Sequence, residues 1–119
     1  MNNQFKKRLY TWVLGVVKLI DSLGKDAGSL VIGKQLLRSG TSVLANCVEA
    51  QSASSKKDFV NFFSHSLKSA NESKVWLALL RDSGKGDKKK VELILKELSE
   101  IANILASSII TAKKSLKKH

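Results

Sequence analysis

The sequence predicts an all-α fold, an antiparallel up-down-up-down four-helix bundle that forms a single domain. The 119 residues include no proline, and 43% of them are hydrophobic. Apolar residues recur at spacings of three and four over long stretches, which indicates amphipathic helices. The connections between these stretches are short, and short connections favour antiparallel neighbours. A chain of this length can enclose one core but leaves no room for a second domain.

The first predicted helix covers about residues 3–23, and Gly24 follows it as a typical stop signal. Its basic beginning resembles a signal peptide, but Lys18 interrupts the apolar run and no small-residue cleavage site follows. We therefore interpret this segment as a helix of the mature protein. The residues expected to face the core recur with helical periodicity: Phe5, Leu9, Trp12, Val13, Val16, Ile20 and Leu23.

The second predicted helix covers about residues 29–53 and is unusual because its polar side almost lacks lysine. Its apolar side is formed by Ile32, Leu36, Leu37, Val43, Leu44, Cys47 and Val48. The opposite side, called the polar row below, consists of Gln35, Arg38, Ser42, Asn46 and Glu49. Because these side chains can hydrogen-bond in fixed geometry, the polar row is a candidate subunit interface. The alternative is an ordinary solvated face.

The third and fourth predicted helices cover about residues 55–80 and 88–115. Ser55 and Asp58 resemble a capping box at the start of the third helix, with Asp in place of the usual Glu. Residues 82–87 have the composition of a turn. The expected core residues of the third helix are Phe59, Phe62, Phe63, Ser66, Ala70, Ser73, Leu77 and Leu80. Those of the fourth helix are Val91, Ile94, Leu95, Leu98, Ile101, Leu105, Ile109 and Ala112.

The charge balance favours a polyanionic partner, since 21 Lys and Arg against 10 Asp and Glu give a net charge of +11. RNA or DNA is the leading candidate, and an acidic membrane surface or an acidic protein is the alternative. Lysine greatly outnumbers arginine, whereas bidentate reading of bases prefers arginine. We therefore expect contact with the phosphate backbone.

The basic residues are expected to gather at the ends of the helices. In an up-down bundle, one end contains the start of the first helix, the connection between the second and third helices, and the end of the fourth helix. The candidate nucleic-acid ligands at this end are Lys6, Lys7, Arg8, Lys56, Lys57, Lys113, Lys114, Lys117 and Lys118. Lys88, Lys89 and Lys90 are further candidates, because positive charge near a helix N-terminus is unfavourable for the helix itself. The alternative for all of them is a role in solubility alone.

No catalytic, metal or cofactor site is expected from the sequence. The Glu-x-x-His pairs that di-metal bundles need are missing. His65 lies between two serines, but neighbours along a helix do not face each other as a catalytic triad requires. Cys47 is expected in the core, and a lone cysteine forms no intrachain disulfide. We therefore expect a non-enzymatic cytoplasmic protein without a membrane span, the uncharged segment 101–112 being too short for one.

Three groups of residues carry a resemblance to a known family. They are 33–42 with 45–50 in the second helix, 55–59 at the next junction, and 67–73 with 76–80 in the third helix. Together they resemble the bacterial four-helix bundle proteins, also called 23S rRNA intervening-sequence proteins. That name reflects the location of some of their genes within insertions in large-subunit rRNA genes.

The resemblance implies an up-down bundle that assembles through helix faces as a ring-like homopentamer. The family is similar in fold to the accessory protein of diversity-generating retroelements, a basic pentamer that binds nucleic acid and a reverse transcriptase. By this analogy we expect a non-enzymatic oligomer that binds RNA or DNA. Ser69, Asn71 and Val75 depart from the usual third-helix signature. The alternative is a scaffold that docks a partner enzyme, such as a reverse transcriptase, through Tyr10, Leu14, Val17, Leu93 and Ile104.

Overall fold

A computed structural model describes residues 3–117, which form four α-helices and contain no strand. The helices are α1 (Asn3–Asp21), α2 (Ala27–Gln51), α3 (Lys56–Asp82) and α4 (Lys88–Lys117). Each helix packs against the next in the chain, and α4 packs back against α1. The resulting rod measures 53 × 23 × 20 Å. The all-α antiparallel bundle predicted from the sequence is therefore confirmed.

The helix ends differ from the predicted ones by about two residues, and local hydrogen bonds account for two of the shifts. The first helix ends at Asp21 because the backbone N–H of Leu23 bonds the carbonyl of Ile20 in a tighter turn. The second begins at Ala27 because Asp26 is its N-cap, accepting from the backbone N–H of Ser29 at 3.2 Å.

The third helix is capped at its start as predicted, since Ser55 Oγ accepts from the backbone N–H of Asp58 at 3.1 Å. Four other predicted ends need correction. The second helix ends at Gln51, before the bend at Ser52, and the third begins at Lys56, with Ser55 as the flanking cap. The third helix continues to Asp82, where Gly84 at φ +72° breaks the helical path, and the fourth reaches Lys117.

The core follows the predicted stripes of α1, α3 and α4 closely but departs from the prediction in α2. Leu37 and Val48, expected in the core, are 39% and 38% exposed. Ser39 and Gly40 are buried instead. Small residues at this face let α2 approach α3 and α1 closely, so the larger side chains beside them turn outward.

Buried hydroxyl groups join α2 to α3 inside this core. Ser39 Oγ and Ser73 Oγ are 2.7 Å apart. Ser66 donates its hydroxyl to the carbonyl of Val43 at 2.8 Å, and its oxygen lies 3.2 Å from the sulfur of Cys47. Every buried side-chain nitrogen or oxygen in the described residues has a hydrogen-bond partner. These hydroxyls are therefore buried without the cost of an unsatisfied polar group.

Gly15→Ala is expected to raise the free energy of unfolding by about 0.5–1 kcal/mol, because Gly15 lies inside α1 and alanine favours the helix. A Cβ atom at this position has no heavy atom within 4 Å, so no clash opposes the gain. Urea unfolding followed by circular dichroism measures the change. Gly84→Ala is the contrasting variant and should lose stability, because Gly84 has a φ of +72°. A loss in Gly15→Ala would contradict the expectation.

In the part of the chain from Asn3 to Lys117, no helix is both long enough and apolar enough to cross a membrane.

Candidate functional site

The arginines of the described chain all form ion pairs within the protein. Arg8 donates two hydrogen bonds to Glu97, at 2.7 and 2.6 Å, and one to Glu100 at 2.8 Å. Arg38 pairs with Glu72, and Arg81 pairs with its neighbour Asp82. Arg8 was a candidate ligand for nucleic acid. The structure places it against two carboxylates, where its charge is offset by α4.

The lysines have a different environment from the arginines. Within residues 3–117, Lys85 is the one lysine in an ion pair, 2.6 Å from Asp26. The predicted nucleic-acid ligands that are lysines are exposed and form no ion pair among the described residues. Lys118 lies outside the described residues. The exposed candidates are Lys6, Lys7, Lys56, Lys57, Lys88, Lys89, Lys90, Lys113, Lys114 and Lys117.

One end of the bundle brings together lysines from α3 and α4. The Nζ atom of Lys56, at the start of α3, donates to Ser115 Oγ near the end of α4 at 2.5 Å. In the adjoining segments, 52–59 and 110–117, Asp58 is the single acidic residue. This end therefore carries excess positive charge. The five residues called the helix-end lysines below are Lys56, Lys57, Lys113, Lys114 and Lys117.

The start of α1 does not reach this end, which corrects the prediction that all these basic residues meet. Arg8 pairs at Glu97 and Glu100, so Lys6, two residues earlier on an antiparallel helix, lies level with about residue 102 of α4. Lys113 is some eleven residues further along, which corresponds to about 16 Å. The physical reason is length, since α1 has 19 residues and α4 has 30.

The polar row lies along the junction of α2 with α3, and its side chains bond one another and residues of α3. Ser42 accepts from Ser69 Oγ at 2.9 Å, and Asn46 donates to the carbonyl and hydroxyl of Ser42. Gln35 accepts from Arg38 at 3.0 Å. Of the five residues of the row, Arg38 and Glu49 are exposed and the other three are partly buried. A role of the row in subunit contact stays a prediction.

Three residues of α3 complete this surface and were not assigned to it from the sequence. Glu72 accepts from Arg38 and also from Trp76 Nε1 at 2.8 Å, while Ser69 bonds Ser42. The hydrogen bond from Trp76 holds the pKa of Glu72 below its ordinary value, with Arg38 contributing further. All three lie in residues 67–73 and 76–80, which resemble the family signature, and this resemblance could have pointed to them from the sequence.

The apolar residues proposed for docking a partner enzyme lie on two separate surfaces, and two of them, Val17 and Ile104, are only partly exposed. Arg8 faces α4, and Tyr10 lies two residues and thus about 200° away on the opposite flank of α1. Leu93 lies by contrast beside Lys18 in a cleft between α1 and α4. Tyr10 is 56% exposed and Leu93 69%. Tyr10, Leu14 and Val17 can therefore act as one surface, but Leu93 and Ile104 belong to another.

The remaining candidates for chemistry have ordinary structural surroundings. Cys47 is fully buried in the core, as predicted, and burial raises the pKa of its thiol. His65 lies exposed on α3. Among residues 3–117, no group of three or more His, Cys, Asp or Glu side chains could hold a metal ion.

Glu97→Gln is expected to destabilise the protein at neutral pH and to have little effect in strong acid. Hydrogen bonds from Arg8 lower the pKa of Glu97 in the folded protein. A lowered folded-state pKa contributes stability above the unfolded pKa, near pH 4, and this contribution is lost as the pH falls through the folded value. Urea unfolding of both proteins at neutral pH and at about pH 2 measures the difference. Glu92→Gln is the matched control, since Glu92 forms no ion pair in the described chain. An equal loss at both pH values would contradict the assignment.

Residues 1–107 match the family model described as 23S rRNA-intervening sequence protein. The chain is also similar to a protein with unknown function from the S23 ribosomal protein family of Bacteroides thetaiotaomicron, known from a crystal structure. The two are 36% identical with a TM-score of 0.82, and the match covers 88% of this chain and 97% of the other. No curated protein matches the chain.

Proposed function

This chain belongs to the 23S rRNA-intervening sequence protein family, and we propose that it is a non-enzymatic, oligomeric helical bundle that binds the phosphate backbone of RNA or DNA. The observation that carries the proposal is that the arginines and the lysines differ in their ion pairing. All three arginines are held by carboxylates, whereas Lys85 alone among the described lysines is in an ion pair. The positive charge available to a partner is therefore lysine charge.

Free lysine charge supports phosphate contact rather than the reading of bases. An ammonium group is a compact point charge, and it attracts phosphate without regard to sequence. Base reading depends most often on arginine, and here the arginines are already bound to Glu72, Asp82, Glu97 and Glu100. The helix-end lysines offer the most favourable place, because Asp58 is the single acidic residue in the adjoining segments.

Fluorescence anisotropy with labelled oligonucleotides tests the proposed function. The probes are two single-stranded RNAs of unrelated sequence and the DNA counterpart of one of them. We expect binding at low salt to all three, with affinities within a few-fold of one another, because the phosphate backbone is common to them. Undetectable binding at low salt would reject the proposal, and a strong preference for one RNA would reject backbone recognition.

Self-association is the second part of the proposal. It is supported by the family resemblance of residues 33–50, because that resemblance implies a homopentamer joined through helix faces. Arg38→Ala combined with Asn46→Leu is expected to lower the mass measured by sedimentation velocity. The exposed ion pair of Arg38 contributes only about 0–1 kcal/mol, so its loss should leave the fold intact. Circular dichroism checks this point.

Tyr10→Ser combined with Leu14→Ser is the comparison variant for the same measurement, since it changes the exposed apolar surface of α1. A mass that falls only in this variant would assign the subunit contact to α1 and contradict the role of the polar row. An unchanged mass in both would show that neither surface joins subunits.

A second candidate function is a scaffold that docks a partner protein. The exposed apolar side chains of Tyr10 and Leu14 favour it, because neighbouring exposed apolar groups often mark protein contacts. Retention of a protein partner on the immobilised chain after nuclease treatment, lost in Tyr10→Ser with Leu14→Ser, would support this function over nucleic-acid binding.

A further inference from the structure

Within residues 3–117, the end of the bundle that carries the helix-end lysines is formed by α2, α3 and α4 without α1. The ion pairs of Arg8 place Asn3, the first described residue of α1, level with about residue 105 of α4. From there α4 continues to Lys117, which adds roughly three turns or about 18 Å. Along these turns α4 has α3 on one side, and no described residue of α1 lies on the other.

Two adjoining grooves lie at this open position, with volumes of about 510 and 420 Å³. Lys56, Phe59 and Ala112 line both of them. The larger groove is otherwise lined by Ser107, Ser108, Thr111 and Ser115 of α4. The smaller one is completed by Ala50, Gln51, Ala53 and Ser55, from the end of α2 and the following junction.

The periodicity of α4 shows that the larger groove continues the track of α1. Glu97, Ile104, Ser108, Thr111 and Ser115 follow one another at spacings of seven, four, three and four, so they share one stripe of the helix. At Glu97 this stripe faces α1 through Arg8. Beyond Ile104 the same stripe lines the groove. The larger groove therefore continues the line of α1 beyond Asn3.

The lining of the grooves combines an apolar floor with donors of hydrogen bonds. Phe59 and Ala112 are partly buried against the core, and Ala50 is buried. The polar lining consists of hydroxyl groups, the Gln51 amide and the ammonium group of Lys56. No carboxylate is among the residues that line either groove in the described chain. The occupant that fits has an apolar face and acidic side chains beside it.

A helix from a second copy of this chain fits this groove poorly. Each of the four helices has more basic than acidic residues, by four to one, two to one, five to three and seven to three in chain order. Each would meet the helix-end lysines with like charge. A nucleic-acid strand could use the lysines, but it would leave the apolar floor of Phe59 and the alanines without a matching surface.

We propose that this groove docks an acidic amphipathic helix of another protein, which completes the four-helix arrangement at this end of the bundle. The apolar face of the helix packs on Phe59 and Ala112, and its carboxylates accept hydrogen bonds from Lys56 and the serine and threonine hydroxyls. This surface is distinct from the polar row and from the exposed apolar residues of α1.

Fluorescence anisotropy with two labelled synthetic peptides tests the proposal. The first has about 14 residues, long enough to span about 20 Å as a helix, with Leu and Ala on one face and Glu on the other. The second has the same composition in an order that destroys the apolar face. We expect the amphipathic peptide to bind at least about tenfold more tightly, because only it can use the apolar floor.

Two tryptophan variants locate the binding. Thr111→Trp fills the groove from an exposed position and is expected to weaken the amphipathic peptide by about tenfold or more. Asn103→Trp, also exposed on α4 but outside both grooves, is the matched control and should change nothing. Equal affinities for the two peptides, or equal affinities of the two variants, would overturn the proposal. A Thr111→Trp variant that weakens a single-stranded RNA instead of the peptide would assign the groove to nucleic acid and likewise overturn it.

Discussion

Replacement of all five helix-end lysines by glutamine is expected to lower the affinity for single-stranded RNA by roughly 100-fold at low salt. These side chains are exposed and form no ion pair in the described chain, so each can contact a phosphate. Lys56 links α3 to α4 through Ser115, but this single exposed hydrogen bond adds little to stability. Anisotropy with a labelled RNA measures the affinity, and circular dichroism checks that the bundle persists.

The matched control removes the same number of charges elsewhere on the surface. It replaces five lysines of the helices and the first connection by glutamine: Lys18, Lys25, Lys34, Lys68 and Lys96. If phosphates bind at the end of the bundle, this variant should lose only a few-fold in affinity, through the weaker long-range field. An equal loss in both variants would show that net charge attracts RNA without a defined surface.

Phe63→Ala is expected to lower the free energy of unfolding by about 3–5 kcal/mol, the range for removing a buried aromatic ring. Phe63 is among the largest fully buried side chains, and the centroids of the Phe63 and Phe59 rings are 4.4 Å apart. Removing it leaves a cavity where α3 meets the rest of the core. This loss is a large share of the free energy of unfolding of an ordinary domain. The urea titration of the variant must therefore start at zero urea and low temperature.

Leu93→Ala is the control for the core variant, because Leu93 is 69% exposed on α4. Its substitution should change stability by no more than about 0.5 kcal/mol. If Phe63→Ala fails to fold, Phe63→Leu preserves more of the volume and should show a measurable but smaller loss. A loss below about 1 kcal/mol in Phe63→Ala would contradict the position of this ring in the core.

The sequence was sufficient to predict the class of fold, because the information is local. The apolar stripes of α1, α3 and α4 recur at helical spacing, and the buried residues of the structure follow them closely. The cap at Ser55 could be predicted for the same reason, since its partner lies three residues away. The predicted helix ends differ from the observed ones by up to two residues, because local turns compete with continuation of the helix at these positions.

The contact between α2 and α3 could not be predicted from periodicity. Ser66 and Ser73 were expected in the core, but their hydrogen-bond partners could not be predicted, and the burial of Ser39 was missed. These serines bond one another, the backbone or Cys47, and only the folded structure supplies these partners. Periodicity assigned Leu37 and Val48 to the core by hydrophobicity alone. The close approach of small residues moved the core toward Ser39 and Gly40.

The electrostatic part of the candidate site depended on long-range partners. Arg8 follows Lys6 and Lys7 directly in the sequence and looks like one of the same basic group. Its ion pair with Glu97 separates it from these lysines, and this pair joins residues 89 positions apart. The same pairing fixes the register of α1 against α4, and with it the groove beyond the start of α1. Helix lengths alone left this register open, so the sequence placed Lys6 and Lys7 too near the end of α4.

The salt dependence of RNA binding, compared between the natural chain and the variant without the helix-end lysines, tests the central claim most directly. The logarithm of the affinity should fall linearly with the logarithm of the salt concentration, with a slope of about 0.7 for each phosphate contacted on a single strand. Phosphate contact at the bundle end predicts a slope smaller by at least about 2 in the variant, which corresponds to about three lost contacts. Identical slopes in the two proteins would contradict the claim that these lysines bind nucleic acid.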